Sequence, residues 1–174
     1  MRGFLLGPLV RLFPVGCCVL AVQRTILTEL RPFGVVLQVV LALVVGAGAG
    51  AGSERGALAG FVLGLMFDLA AGTPLGLTAM VYALAGYVAG YVMVLTPTPQ
   101  WWLAAIFAGL GAAVGELMMP VGKMLIGQDG WFTTELFRIV PTVAVLAMIT
   151  SPLFVPLGRW CMCVKRPKWK AIAE

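Results

Sequence analysis

Apolar runs about one bilayer thickness long alternate with short clusters of charge, Gly and Pro along the whole chain. A transmembrane helix needs roughly 20 consecutive, mostly apolar residues. By that measure the pattern predicts six spans, at 8–27, 33–52, 55–71, 75–95, 101–121 and 134–158, followed by a basic tail over 159–174. The breaks have their own chemistry. Gln23, Arg24 and Thr25 form a polar cluster at the end of the first run, and Pro32 suits the first turn of the second helix. The second run ends in GAGAGAG before Ser53, Glu54 and Arg55, where successive glycines weaken the helix end and serve either as a hinge or for close packing. Thr73-Pro74-Leu75-Gly76 predicts a turn between the third and fourth spans, and Trp101 and Trp102 stand where an interfacial aromatic belt belongs.

One stretch carries a second period. Within GALAGFVLGLMFDLAAGTPLG a marker residue recurs every fourth position: Gly56, Gly60, Gly64, Asp68, Gly72 and Gly76. A step of four residues keeps side chains on one slowly drifting face of a helix, and glycines there make a groove that admits another backbone. The predicted turn at Thr73-Pro74 divides the row, leaving Gly56, Gly60 and Gly64 in the groove, Asp68 at its end, and Gly72 and Gly76 in the turn. Gly86 and Gly90 give the fourth span a smaller pair of the same kind, and Gly111 and Gly115 precede Glu116 in the fifth. The grooves suit packing within the bundle or docking of a separate membrane helix.

Composition sharpens the class. Of 174 residues, 61% are apolar and 11% charged, which identifies a polytopic membrane protein with a single domain over 1–174 and no separate soluble domain. The net charge of +5 points to cytoplasmic loops and anionic lipid rather than to nucleic acid. With six spans, Arg2, Arg11, Arg55, Arg159, Lys165, Arg166, Lys168 and Lys170 share one side, against Arg24, Arg31, Lys123 and Arg138 on the other, so both termini are expected in the cytoplasm. Arg159, Lys165, Arg166, Lys168 and Lys170 are expected at an anionic lipid surface.

Candidate chemistry is sparse. The chain has no His, and its Cys17, Cys18, Cys161 and Cys163 lack zinc-site spacing, so neither a metal nor another cofactor is expected. No set of nucleophile, base and orienting group is visible, nor a phosphate loop, and the chain is not expected to be an enzyme. The polar residues expected to be buried are Gln23, Asp68, Glu116 and Arg138. An acid near a helix C-terminus faces unpaired carbonyls, so Asp68 is expected to draw on the N–H groups of the following turn and of the next helix's first residues, the alternatives being a partner-binding or ligand-binding acid and a proton relay. Arg138 is expected either to pair with an acid of the bundle, or to pair locally with Glu135 or reach to the interface.

The run from Gly56 to Leu77, followed by a span containing Gly86-Tyr87, resembles the bacterial rod shape-determining MreD family. Gln23, Pro32, and the segment Ser151-Pro152-Leu153-Phe154-Val155-Pro156-Leu157 before the basic tail fit the same resemblance. One departure is Phe33, where that family often has Asp or Asn after the proline. The resemblance implies an all-α bundle of about six transmembrane helices, similar in fold to the substrate-binding subunits of energy-coupling-factor transporters. It further implies a non-catalytic scaffold of the cell-elongation machinery in the bacterial cytoplasmic membrane. Such a subunit would bind the transmembrane helix of MreC, sit with MreB, RodA and its transpeptidase partner, and support peptidoglycan synthesis and cell shape. The alternative is a small-ligand, vitamin-type binding subunit of an energy-coupling-factor transporter, for which Asp68, Thr73, Gln128, Asp129 and Trp131 are the polar and aromatic groups available.

Overall fold

The computed structural model describes residues 2–25, 38–96, 100–125, 127 and 136–162. Its helices are α1 (Arg2–Thr25), α2 (Val39–Ala51), α3 (Ser53–Ala71), α4 (Leu77–Gly90), α5 (Val92–Leu95), α6 (Trp101–Leu125) and α7 (Leu136–Cys161). No strand occurs among the described residues. α4 and α5 meet at Tyr91, whose backbone stays right-handed helical (φ −63°, ψ −21°), so Leu77–Leu95 forms one apolar length.

Among the described residues three helices are long and apolar enough to cross a membrane: Leu77–Leu95, Trp101–Leu125 and Leu136–Cys161. This is fewer than the six spans expected, and two of the differences have physical reasons. α3 carries Glu54, Arg55 and Asp68 within 19 residues. α2 has only 13 residues, about 20 Å of helix against a hydrocarbon core of about 30 Å. The segment between Thr25 and Gln38, with Arg31, Pro32 and Phe33, lies outside the described residues.

α2 is the axis of the bundle. It touches α1, α3, α4, α6 and α7, and every residue from Val40 to Gly50 is buried. A helix apolar on all sides has no solvent face to keep, which is the pattern its sequence carries. Of the two readings of the GAGAGAG run, hinge or close packing, the structure has close packing: the run remains helical to Ala51 and stops at Gly52. Its glycines are held by contact, since a Cβ at Gly46 would strike the backbone of Phe154, one at Gly48 the carbonyl of Gly86, and one at Gly50 the carbonyl of Val155. Close backbone approach gives back in packing what glycine loses in helix propensity. Around this axis Leu12, Leu20, Leu63, Tyr82, Ala112 and Phe154 complete the core.

Candidate functional site

The row at 56–76 builds one unit, the α3–α4 hairpin, and α4 of the same chain fills its groove. A Cβ on Gly56 would meet the Gly86 carbonyl and the Cα of Gly48, one on Gly60 the Tyr82 carbonyl, and one on Gly64 the backbone of Thr78 and Ala79. The contacts are reciprocal, since a Cβ on Gly86 would strike the Gly56 carbonyl and one on Gly90 the backbone of Gly52 and Ser53. Gly48, Gly56 and Gly86 therefore mark a point where three backbones meet with no room for a methyl group. This groove is occupied, so Gly56, Gly60, Gly64, Gly86 and Gly90 serve packing within the bundle and offer no berth to a foreign helix.

A Cβ at Gly72 or Gly76 would meet no other atom within 4 Å. They belong to the turn rather than to a packing face. Gly72 closes α3 in the left-handed region (φ 69°), its N–H donating to the Asp68 carbonyl at 3.0 Å, and Gly76 (φ 98°) opens α4. Both are conformations that a side chain disfavours. Pro74 sits exposed between them.

Asp68 is fully buried, and its carboxylate draws the turn and the next helix around itself. Oδ1 accepts from the Thr73 hydroxyl at 2.8 Å and from the Thr78 N–H at 3.3 Å. Oδ2 accepts from the Gly76 N–H at 2.9 Å and the Ala79 N–H at 3.4 Å. Thr78 and Ala79 are the second and third residues of α4, whose own N-cap position, Gly76, supplies no side-chain cap. Asp68 thus caps α4 from the end of α3, and the positive end of the α4 dipole offsets the buried charge. The negative end of α3 has its own partner: Arg24 of α1 donates through Nη2 to the Ala70 carbonyl at 2.7 Å.

The same device recurs one hairpin earlier. Gln23, buried near the end of α1, accepts through Oε1 from the Val40 N–H at 2.9 Å, the second residue of α2. Again the local N-cap residue, Gln38, gives no side-chain cap. Gln38 instead accepts through Oε1 from the Tyr82 hydroxyl at 3.1 Å, while the Tyr82 ring lies 6.1 Å from that of Phe67. Gln38, Thr78 and Tyr82 were not singled out as site residues by their place in the sequence. Only the spacing of Gln38 from a helix start and the polar hydroxyls in apolar spans could have pointed to them.

Glu116 is also buried, as expected, but it is bound differently. Its Oε1 has no hydrogen-bond partner among the described residues. Gln23, Gln38, Asp68, Thr78 and Tyr82 gather at one end of the bundle, where α1 and α3 finish and α2 and α4 begin, and Gly115, beside Glu116 on α6, packs against Leu41 and Ala85. A cavity of about 20 Å³ between α2, α6 and α7, lined by Gln38, Leu41, Ala112, Val143, Ala147 and Phe154, has room for one water molecule.

Arg138 is not a buried polar residue. It lies exposed in the first turn of α7, where a long side chain can place its charge beyond the apolar layer. Glu135, Gln128, Asp129 and Trp131 lie outside the described residues, as do Lys165, Arg166, Lys168 and Lys170. Arg159 is half-buried, its Nε donating to the Gly50 carbonyl at 3.1 Å, which ties the end of α7 to the end of α2. Nearby, Arg55 donates to the Met162 carbonyl at 3.3 Å, and Arg11 of α1 stacks 5.2 Å above the Trp160 ring. Cys17 and Cys18 are exposed on α1 as free thiols, and Cys161 is buried at the end of α7. Among the described residues no three His, Cys, Asp or Glu side chains group closely enough to hold a metal ion.

Compared with known proteins, the chain matches no family model, no curated protein and no solved structure.

Proposed function

We propose that this chain is a non-catalytic, multi-pass scaffold subunit of the bacterial cell-elongation complex, as its resemblance to the MreD family implies. In this reading it lies in the cytoplasmic membrane with both termini inside. It binds the transmembrane helix of an MreC-type single-span protein and, directly or through that partner, supports MreB, RodA and the transpeptidase in peptidoglycan synthesis and cell-shape maintenance. The observation that carries the reading is the closed seam between α3 and α4, together with its junction with α2 at Gly48. With that seam filled by the chain's own backbone, a partner helix would meet the lipid-facing surface instead. Purification in a mild detergent, with co-purifying proteins identified by mass spectrometry, tests it. The scaffold reading expects a single-span protein with an extended coiled-coil domain, accompanied by a wall glycosyltransferase. Recovery of the chain alone, from membranes that contain such partners, contradicts it.

A second reading has one observation in its favour. Gln23, Asp68 and Thr78 are buried together toward one end of the bundle, and the buried Glu116 of α6 keeps an acceptor oxygen unused among the described residues. That is the kind of place where a small-ligand subunit of an energy-coupling-factor transporter would hold its ligand. Binding of a water-soluble vitamin to the purified protein would favour it over the scaffold.

A further inference from the structure

The corner where α1 meets the last turn of α7 concentrates positive charge that the described helices offset only in part. Arg11 of α1 stacks 5.2 Å above the ring of Trp160, the residue before the end of α7. Stacking uses the flat face of a guanidinium and leaves its N–H groups, which point outward in the plane, to bond elsewhere. Those of Arg11 meet no acceptor among the described residues. Arg159, beside Trp160 in the chain, gives its Nε to the Gly50 carbonyl and has no acceptor for its Nη groups among the described residues. Arg55, from the start of α3, reaches the same turn and donates to the Met162 carbonyl. Those carbonyls close α2 and α7, and each helix end answers about half a charge. Three guanidinium groups exceed that, and the exposed Glu54 next to Arg55 offsets no more than one of them. The corner also has an apolar flank, since Val10 and Phe13 are exposed on α1 close to Arg11 and Trp160 is exposed beneath it. A tryptophan this near a helix end marks the membrane interface, the level of phospholipid headgroups.

We propose that this corner is a binding site for one anionic phospholipid, its phosphate taken by Arg11 with the neighbouring Arg159 and Arg55, and its acyl chains laid along Val10, Phe13 and Trp160. The inference stands apart from both functional readings. It also differs from the sequence expectation of anionic lipid at Arg159 and the tail, which named neither Arg11 nor Arg55. The chemistry of the occupant follows from the corner. The planar donors of arginine match the oxygens of a phosphate, and charge-assisted bonds of that kind are the strong ones. A zwitterionic headgroup would bring its own cation into a field that is already positive. A free inorganic anion would leave the apolar flank unused.

Native mass spectrometry of the full chain in mild detergent tests the proposal, in ammonium acetate at about 0.5 M so that charges beyond contact distance are screened. One phosphatidylglycerol per chain is expected to be retained in preference to phosphatidylcholine. Arg11→Gln should weaken that binding about fivefold, the contribution of one cation near an anionic headgroup, and Arg11→Lys should recover part of the loss. Arg11 makes no hydrogen bond to any described residue, so its replacement by Gln should leave elution from a sizing column unaltered. Lys168→Gln with Lys170→Gln, in the tail, should change binding by less than about twofold under the same screening. Equal retention of phosphatidylcholine, or wild-type affinity of Arg11→Gln, overturns the site. A loss from the tail pair as large as that from Arg11→Gln also overturns it, by showing diffuse attraction to basic segments. Displacement of the lipid by millimolar inorganic phosphate would make the corner a free-anion site and overturns the lipid assignment as well.

Discussion

Replacing Asp68 tests how much of the hairpin depends on one carboxylate. In Asp68→Ala the Thr78 and Ala79 N–H groups, both buried at the start of α4, lose their acceptor and cannot turn to water. A stranded buried donor costs about 1–3 kcal/mol, and bonds of 3.3 and 3.4 Å belong to the weaker part of that range. Removing a buried charge returns some desolvation energy, but this carboxylate is already met by four donors and a helix dipole, so the stranded amides dominate. The expected loss is about 2–4 kcal/mol. Asp68→Asn keeps one acceptor oxygen but turns an NH2 toward either the Thr73–Thr78 pair or the Gly76–Ala79 pair of donors, which places it between wild type and Ala. Thr73→Val removes a single partly buried hydroxyl bond and should cost about 1 kcal/mol. Equilibrium unfolding in mixed micelles, with detergent composition as the denaturant and an engineered fluorophore pair across the hairpin as the probe, measures the series. Equal midpoints for wild type and Asp68→Ala would refute the capping argument. Wild-type stability of Asp68→Asn with loss of its partners would make the carboxylate a functional group instead.

The second interhelical cap should behave alike on a smaller scale. Gln23→Leu strands the buried Val40 N–H and should lower stability by about 1–2 kcal/mol in the same unfolding measurement, an effect that Gln23→Glu, which keeps an acceptor there, should reduce. Glu116 should respond in the opposite sense to Asp68. Because its Oε1 accepts no hydrogen bond from the described residues, Glu116→Gln is expected to leave the unfolding midpoint unchanged or raise it, and a drop as large as that of Asp68→Asn would show a bonded carboxylate.

The sequence was most legible where local chemistry decided the outcome. The turn at Thr73–Gly76 and the demand of Asp68 for N–H donors followed from a proline, two glycines and an acid at a helix end, and the structure has both. Gln23 could be read only as polar, because its partner, Val40, lies 17 residues away beyond a connection whose path local pattern does not reveal. The start of the second helix was not legible for a different reason. Hydropathy sees apolar residues and not helix ends, so the run at 33–52 was one bilayer span by composition, while the described helix begins at Val39. The glycine row posed the hardest question, because a groove that admits a backbone looks the same in sequence whichever chain fills it. Only the contacts of Gly60 and Gly64 with Tyr82, Thr78 and Ala79 assign it to α4. Arg138 was ambiguous by nature, since an arginine near a helix start can fold inward to an acid or outward to the interface.

The row at 56–76 holds the chain's own α3–α4 hairpin together. The direct measurement is the thermal stability, in mild detergent, of the chain purified without any partner, carrying Gly60→Leu or the control Ala57→Leu. A side chain at Gly60 is driven into the Tyr82 carbonyl and the Ala83 N–H, whereas Ala57 is only half-buried. The claim predicts that Gly60→Leu fails to give a monodisperse folded peak, while Ala57→Leu melts close to wild type. A Gly60→Leu chain that melts like wild type on its own, yet no longer retains its partner, would contradict it and return the groove to a foreign helix.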